Sequence, residues 1–188
     1  MKTKFLSIPE NNSDYRYILG KKGKNNLLAI CLNPSTANAF EHDGTTRNVE
    51  KIAIANGYDG WVLFNLSPER SSKPEFLSLN YSKKTLDENS NLLEALVLRN
   101  EFKISDVLLA WGNNVTALPD FPYLKSSAIT ILDRLKKYDL NYWCIKLTAN
   151  GHPFHPAQQG INRYVGPVED IKLKTFDANS YLRSLVKG

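Results

Sequence analysis

The sequence predicts an α/β fold: a three-layer α/β/α sandwich around a central, mainly four-stranded parallel sheet, with an N-terminal β-hairpin. Short apolar runs alternate along the chain with segments of helical apolar spacing, which is the pattern of right-handed parallel crossovers. The runs are apolar at almost every position, as expected of strands that are buried on both faces of a sheet. The four predicted parallel strands are residues 27–32, 61–64, 107–110 and 143–147.

The first elements form a predicted hairpin and one βα unit. Residues 14–19 and 27–32 flank a turn rich in Gly, Asn and Lys, which predicts a hairpin that delivers its second strand into the centre of the sheet. Residues 45–56 follow with apolar side chains at helical spacing, and Gly57 stands at the position of a helix C-cap.

The rest of the chain repeats the same alternation. A long polar loop at residues 65–81 follows the second parallel strand, and a loop of this length in a compact domain is usually either functional or disordered. Apolar periodicity predicts two further amphipathic helices and a short C-terminal helix. These helices cover residues 89–102, 123–138 and 178–186.

Length and composition favour a soluble globular protein. The 188 residues predict one domain, 1–188, and the net charge of +5 is compatible with a polyanionic partner, although the lysines are scattered. Cys31 and Cys144 lie inside apolar runs, which favours buried structural thiols, and we predict neither a metal nor a cofactor. Without an apolar signal segment or membrane span, the sequence predicts a cytoplasmic protein with no membrane partner.

Polar clusters follow directly after each of the four apolar runs. In open α/β sheets, ligands bind in the crevice outside the carboxyl ends of the strands. The sequence therefore predicts that the four clusters meet at one edge of the sheet and form a binding site. They are residues 33–36, Asn65, residues 111–114 and residues 152–156.

The residue types in these clusters indicate what they can bind. Asn33 offers a donor and an acceptor to a water or a planar amide, and the alternative is a turn that caps its own backbone through Asn33 and Ser35. Asn65 can make paired hydrogen bonds to the edge of a nucleobase. Asp43 precedes a predicted helix whose N-terminus, with Arg47, suits an anion, although Asp43 or Thr45 can equally serve only as an N-cap.

The last cluster places His152 and His155 between prolines. Proline stiffens a loop, and histidine can donate a proton, accept one or carry charge near neutral pH. A lone histidine is usually structural, whereas two in one rigid loop at a sheet edge favour a functional role.

In their order along the chain, these motifs resemble those of the uracil-DNA glycosylase superfamily. They are Leu32-Asn33-Pro34-Ser35, Leu63-Phe64-Asn65, Leu109-Ala110-Trp111-Gly112 and His155-Pro156. More closely, the chain resembles the DUF1643 family of bacterial and phage proteins. That resemblance rests on residues 32–37, Asp43, Thr45, Arg47, Asn65-Leu66 and residues 152–156.

The resemblance implies a uracil-DNA glycosylase-like fold and specific roles. Asn33 would orient the attacking water, Asn65 would read the base edge, and His155 would stabilise negative charge on the departing base. Ser35, Arg70 and Arg163 would hold phosphate. The remaining residues expected to bind substrate are Thr36, Asp43, Arg47, Trp111, Asn113 and His152.

Two features depart from the glycosylase pattern. Residues 157–160 contain no apolar wedge for extruding a base from the stack, which places duplex DNA in doubt as a substrate. Asn33 stands where an acidic water activator is common, although some members of the superfamily use Asn there.

The sequence therefore predicts an enzyme that recognises a nucleobase or nucleotide and hydrolyses an N-glycosidic bond in DNA or in a nucleotide. The alternative is a non-catalytic module that binds a nucleotide, a modified base or nucleic acid in phage conflict or DNA modification. Transferase or phosphatase-like chemistry through Asp43 and Arg47 is weaker, because the chain has no G-x-x-x-x-G-K loop.

Overall fold

The computed structural model describes residues 5–10, 12–79, 81–98 and 102–187. It is a mixed α/β structure with one seven-stranded sheet, in the order β1-β2-β4-β3-β5-β6-β7. The strands are β1 (Leu6–Ile8), β2 (Ile18–Lys21), β3 (Asn26–Cys31), β4 (Gly60–Asn65), β5 (Ile104–Leu109), β6 (Asn141–Cys144) and β7 (Lys174–Thr175). The helices are α1 (Gly44–Ala55), α2 (Lys83–Leu98), α3 (Asn114–Ala117), α4 (Pro122–Leu135), α5 (Gln158–Tyr164) and α6 (Ala178–Lys187).

The α/β class is confirmed, but the sheet is wider and more mixed than predicted. Three of its six strand pairings are parallel, namely β3 with β4, β3 with β5 and β5 with β6. The other three pairings, which carry β1, β2 and β7, are antiparallel. The short edge strands β1 and β7 have too few residues to show a periodicity of their own.

The predicted hairpin between residues 14–19 and 27–32 is wrong. Strand β2 pairs with β1 and β4, and β4 lies between β2 and β3. The segment between β2 and β3 leads away from β2. The Asn26 side chain binds the backbone of Gly23, and the Asn25 carbonyl accepts hydrogen bonds from the N–H groups of Asp59 and Gly60. These contacts hold the start of β4 beside the turn, so a strand distant in sequence takes the predicted partner's place.

Two hydrophobic clusters lie on opposite faces of the sheet, as the alternation of side chains along a strand requires. On one face, β3 and β4 contribute Leu28 and Phe64 to a cluster with α2, α4 and α6. On the other face, Leu27 and Leu63 pack with α1 and α5. The central strands are apolar at nearly every position because each face is covered by helices.

Most predicted elements are found with shifted boundaries. Helix α2 begins at Lys83, ahead of the predicted residue 89, and residues 99–101 of that prediction lie outside the described residues. Gly57 follows α1 with a φ of +86°, a left-handed conformation that suits glycine after a helix. Strand β6 ends at Cys144, short of the predicted residue 147. None of the helices in the described part of the chain is long and apolar enough to cross a membrane.

Candidate functional site

A cavity of about 480 Å³ opens at the carboxyl edge of the parallel strands. Its walls come from the segments that follow β3, β4 and β5, from the loop after β6, and from the start of α1. Residues from all four predicted clusters therefore meet there. The predicted site residues in its lining are Asn33, Ser35, Asp43, Asn65, Trp111, Asn113 and His155.

Asn65 is the last residue of β4 and is only 1% exposed. Neither Nδ2 nor Oδ1 of its carboxamide has a hydrogen-bond partner among the described residues. Its backbone is held in place, because Asn89 Nδ2 donates to the carbonyl oxygens of Asn65 and Leu66 at 3.0 and 3.2 Å. A buried polar group without partners is costly, and this carboxamide can pair with a group that presents one donor and one acceptor.

Asn33 follows β3 and is bonded in a different way. Its Nδ2 donates to the carbonyl oxygens of Pro34 and Ser71, at 3.0 and 2.8 Å. Both amide hydrogens are used in these bonds. The side-chain oxygen Oδ1 is the remaining polar atom, and it can accept a hydrogen bond. The bonds also attach the long loop after β4 to the end of β3.

His155 lines the same cavity from the loop after β6. Its Nδ1 lies 2.7 Å from the Ala110 carbonyl oxygen, which can only accept, so Nδ1 carries a proton. Burial lowers the pKa of His155, against the opposing effects of the Ala110 hydrogen bond and of Asp43. The neutral ring therefore has an unprotonated Nε2, which is a hydrogen-bond acceptor and a base.

The His155 loop is fixed from several sides. The Gly112 amide donates to the Pro153 carbonyl at 2.8 Å, and Asn48 Nδ2 of α1 donates to the Pro156 carbonyl at 2.9 Å. Gly112 has a φ of +73°, and a Cβ at that position would lie 3.0 Å from the His155 Cβ. The glycine of the Trp-Gly motif thus permits both the turn after β5 and the close approach of His155.

Asp43 caps α1 through a 2.8 Å hydrogen bond from the Thr46 amide to its Oδ1. The N-cap prediction is confirmed, and the same residue also lines the cavity. Trp111 is a buried wall residue whose Nε1 donates to the Tyr181 hydroxyl at 3.0 Å. Asn113 Oδ1 is buried and has no partner among the described residues, so it is a further hydrogen-bond acceptor at the cavity.

Some predicted site residues lie elsewhere. Thr36 and Arg70 line an adjoining cavity of about 550 Å³, which shares Ser35, Ser71 and Ser72 with the first. Arg47 is exposed on α1 and donates from Nη1 to the His42 carbonyl at 2.7 Å, which holds its side chain outside the cavity. Arg163 is exposed on α5, with its guanidinium carbon 5.2 Å from the centre of the Tyr164 ring.

His152 does not line the main cavity either. Its Nε2 lies 2.9 Å from Thr116 Oγ1 and its Nδ1 lies 2.7 Å from the Tyr181 hydroxyl. Both ring nitrogens are thus occupied, and burial lowers the pKa of this histidine. These contacts tie the loop after β6 to α3 and α6.

Arg16 is a residue of the main cavity that the sequence did not indicate. It is 1% exposed, and Nη1 makes the one hydrogen bond of its guanidinium group within the described structure, to the Ala37 carbonyl at 2.7 Å. Burial lowers its pKa to about 10, Asp43 raises it and Arg70 lowers it further. The only sequence signal was a charged residue just before an apolar strand, and such residues are usually exposed.

The cavity therefore combines a buried amide, fixed acceptors and a buried cation. Asn65 can pair with a planar group, and Arg16 favours negative charge. Asn33 can accept a hydrogen bond from a water, and His155 can accept a hydrogen bond or a proton. Nowhere in the described ranges do three His, Cys, Asp or Glu side chains converge as ligands of a metal.

Comparisons with known proteins identify the family. A family model described as "Protein of unknown function (DUF1643)" matches residues 16–157, a range that includes Arg16 and every cavity-lining residue named above. No curated protein and no solved structure matches the chain, so the resemblance to the uracil-DNA glycosylase superfamily stays a prediction. Since the match covers well over half of its length, the chain belongs to the DUF1643 family.

Proposed function

We propose that this protein binds a nucleobase in the cavity at the carboxyl edge of the sheet and hydrolyses the N-glycosidic bond that joins the base to its sugar. The observation that carries the proposal is the Asn65 carboxamide, which is buried and has no partner at either polar atom within the described part of the chain, while the Asn65 backbone is held by Asn89. Each nucleobase presents neighbouring donor and acceptor groups on an edge, which a carboxamide can pair with in a bidentate manner.

The pairing selects a class of ligand. Oxo and amino bases present their donor and acceptor in opposite orders, and the carboxamide matches either order after rotation by half a turn. Asn65 thus supports recognition of a nucleobase edge in general. A ligand that covers Asn65 and leaves either amide atom unpaired loses affinity, because desolvation of that atom is not compensated.

Water activation is assigned to Asn33 and His155. Asn33 Oδ1 is held as an acceptor by the two bonds of Nδ2, so it can orient a water molecule. His155 Nε2 can take the proton of that water while the water oxygen bonds to the sugar C1′. The C1′–N bond then breaks, its electron pair leaves with the base, and Asn65 Nδ2–H donates to the base oxygen where negative charge develops.

This role of His155 differs from the one that the resemblance implies. A histidine that stabilises the departing base in its neutral form must donate from Nε2. Here the proton lies on Nδ1, toward the Ala110 carbonyl, and burial favours the neutral ring. His155 is therefore better suited to accept the proton of the attacking water.

The test is incubation of the purified protein with deoxynucleotides and oligonucleotides containing uracil or hypoxanthine, followed by mass spectrometry of released base. We expect release that is lost in Asn33→Ala and His155→Ala, and binding that is lost in Asn65→Ala. Asn179→Ala, which removes an exposed carboxamide on α6, is the matched control and should leave both unchanged. Unchanged turnover in Asn33→Ala and His155→Ala would refute the mechanism.

One observation favours a non-catalytic nucleotide-binding or nucleic-acid-binding module as the second candidate. Asn33 stands at the end of β3, where a carboxylate would be the stronger water activator, and an amide oxygen cannot take a proton at neutral pH. Binding that depends on Asn65, without release of base from any substrate, would establish this alternative. Release of base would exclude it.

A further inference from the structure

A separate cavity of about 510 Å³ lies between α3, the start of α4, the loop after β6 and α6. Among the described residues it shares no lining residue with the main cavity or with the adjoining one, and its volume is within the usual range for small-molecule sites. We name it the α6 cavity. Its lining includes the apolar side chains of Val115, Leu118, Phe121 and Leu185, together with Lys125 and His152.

The wall of the α6 cavity is held in place by the protein itself. Thr116 Oγ1 lies 2.9 Å from His152 Nε2, and the Tyr181 hydroxyl of α6 lies 2.7 Å from His152 Nδ1. Between α3 and α4, the Phe121 amide donates to the Leu118 carbonyl at 3.0 Å. Because these bonds join α3, α6 and the loop after β6, a ligand does not have to order the wall first, which lowers the cost of binding.

Lys125 supplies the charge of the α6 cavity. It stands in the first turn of α4, is partly buried, and forms neither a hydrogen bond nor an ion pair with any other described residue. Within the described ranges, no Asp or Glu lines the cavity, and the first turn of α4 holds no acidic side chain. An ammonium group beside apolar walls is screened less than one on an open surface, so it favours an anionic group in the cavity.

The remaining polar side chains of the lining are bonded or exposed to solvent. Both ring nitrogens of His152 are occupied, and none of the lining side chains has a buried polar atom without a partner in the described structure. The α6 cavity therefore differs from the main cavity, where the buried Asn65 carboxamide is unpartnered among the described residues. A ligand of the α6 cavity needs an apolar body and one anionic group.

We propose that the α6 cavity is a second binding site, which takes a small carboxylic acid with an apolar body. The carboxylate accepts a charge-assisted hydrogen bond from Lys125 Nζ, and the hydrocarbon part packs on Leu118, Phe121 and Leu185. The site selects against an alcohol, which carries no charge, and against an amine, which Lys125 repels. This second site is independent of the proposed function, because the two cavities have no lining residue in common among those described.

The experiment measures the binding of three acids, octanoate, phenylpropionate and naphthoate, to the full chain by isothermal titration calorimetry. Each acid is compared with the alcohol obtained by reducing its carboxylate, so that the apolar body stays the same. We expect at least one acid to bind, about tenfold more tightly than its alcohol, which is the effect of one charge-assisted hydrogen bond. The preference should shrink as salt is added, because salt screens the charge of Lys125.

Two variants test the two parts of the site separately. Lys125→Gln should abolish the preference for acid over alcohol, whereas Lys187→Gln, an equal charge change at an exposed position of α6, should keep it. Leu118→Ala should weaken the binding of the acid and of its alcohol alike, about tenfold, because it removes part of the apolar wall. Lys125 is partly exposed, so its substitution keeps the test decisive even where Leu118→Ala unfolds the chain.

The main cavity needs a control of its own, because its Arg16 guanidinium also attracts anions. Acid binding at the α6 cavity should be the same in Asn65→Ala as in the wild type. Failure of all three acids to bind, or equal binding of each acid and its alcohol, would overturn the second site. A preference for acid that survives in Lys125→Gln would also overturn it. None of these outcomes involves release of a base, so the proposed function depends only on its own test.

Discussion

Two buried asparagines at opposite edges of the parallel strands show how the ends of this sheet differ. Asn26 begins β3, and its carboxamide accepts from the Gly23 amide and donates to the Gly23 and Phe102 carbonyls, at 2.7, 3.1 and 2.6 Å. Asn65 ends β4 and is equally inaccessible, but neither of its polar atoms has a partner among the described residues. At the amino edge the side chain secures a turn, whereas at the carboxyl edge the same side chain faces a cavity.

The contrast teaches that burial alone does not distinguish a structural residue from a functional one. Native proteins satisfy nearly all buried polar groups, so an unsatisfied one at a cavity wall indicates a ligand that completes it. The two histidines of the loop after β6 repeat the contrast. His152 has partners at both ring nitrogens, and His155 has one partner and faces the cavity.

The sharpest test of the comparison is the pair Asn26→Ala and Asn65→Ala. Asn26→Ala leaves three backbone groups without their partners, so we expect the free energy of unfolding to fall by about 3 kcal/mol. Asn65→Ala removes a group whose hydrogen bonds are unmade, and stability should change by less than about 1 kcal/mol. Urea denaturation measures both values, and equal losses in the two variants would contradict the comparison.

The histidine pair gives the next largest effect. His152→Ala removes two hydrogen bonds and an edge contact between the His152 and Tyr181 rings, so stability should fall by about 2 kcal/mol. His155→Ala removes one hydrogen bond at the cavity wall and should cost about 1 kcal/mol. Its stronger effect should be on turnover, measured as release of base. A larger stability loss in His155→Ala than in His152→Ala would reverse the assignment of roles.

A pair of glycines tests how closely the His155 loop depends on β5. Gly112 and Gly57 both have positive φ, of +73° and +86°, but only Gly112 has a neighbour, the His155 Cβ, within 4 Å of an added Cβ. Alanine at either position costs about 1 kcal/mol of backbone strain. Gly112→Ala should cost more and should also weaken ligand binding, whereas Gly57→Ala should leave binding unchanged. Calorimetry on both variants checks this, and equal binding would separate Gly112 from the site.

The approximate positions of the strand ends could be predicted from the sequence, because each strand is a short run of consecutive apolar residues. Apolar runs predicted strands where β3, β4, β5 and β6 lie, and residues near the carboxyl ends of these runs meet at one cavity, among them Asn33, Asn65 and His155. The partner of β2 could not be predicted, because contacts of Asn25 with Asp59 and Gly60, distant in sequence, decide it.

The sequence did not predict correctly which arginines line the cavity. Arg47 and Arg163 were predicted to bind substrate, but both are exposed, on α1 and α5. Arg16 stands outside every motif, and its burial depends on the Ala37 carbonyl, 21 residues further along the chain. A hydrogen bond of this span leaves no periodic pattern, so only the folded structure reveals it.

The smallest expected effect is the dependence of stability and turnover on pH. His42, His152 and His155 are the three histidines of the chain, and burial lowers the pKa of each in the folded state. The unfolded chain, with an ordinary histidine pKa of about 6.5, therefore binds protons more readily than the folded chain. The contribution of the neutral histidines to the free energy of unfolding is fully present above about pH 6.5, and it falls as the pH drops toward the folded-state pKa values. Urea denaturation between pH 7.5 and pH 5 should show this loss, and the loss should be smaller in His152→Gln than in the wild type. Base release should decline over the same range, because protonation of His155 removes the acceptor at Nε2, and a rise in turnover on acidification would instead assign His155 as a proton donor.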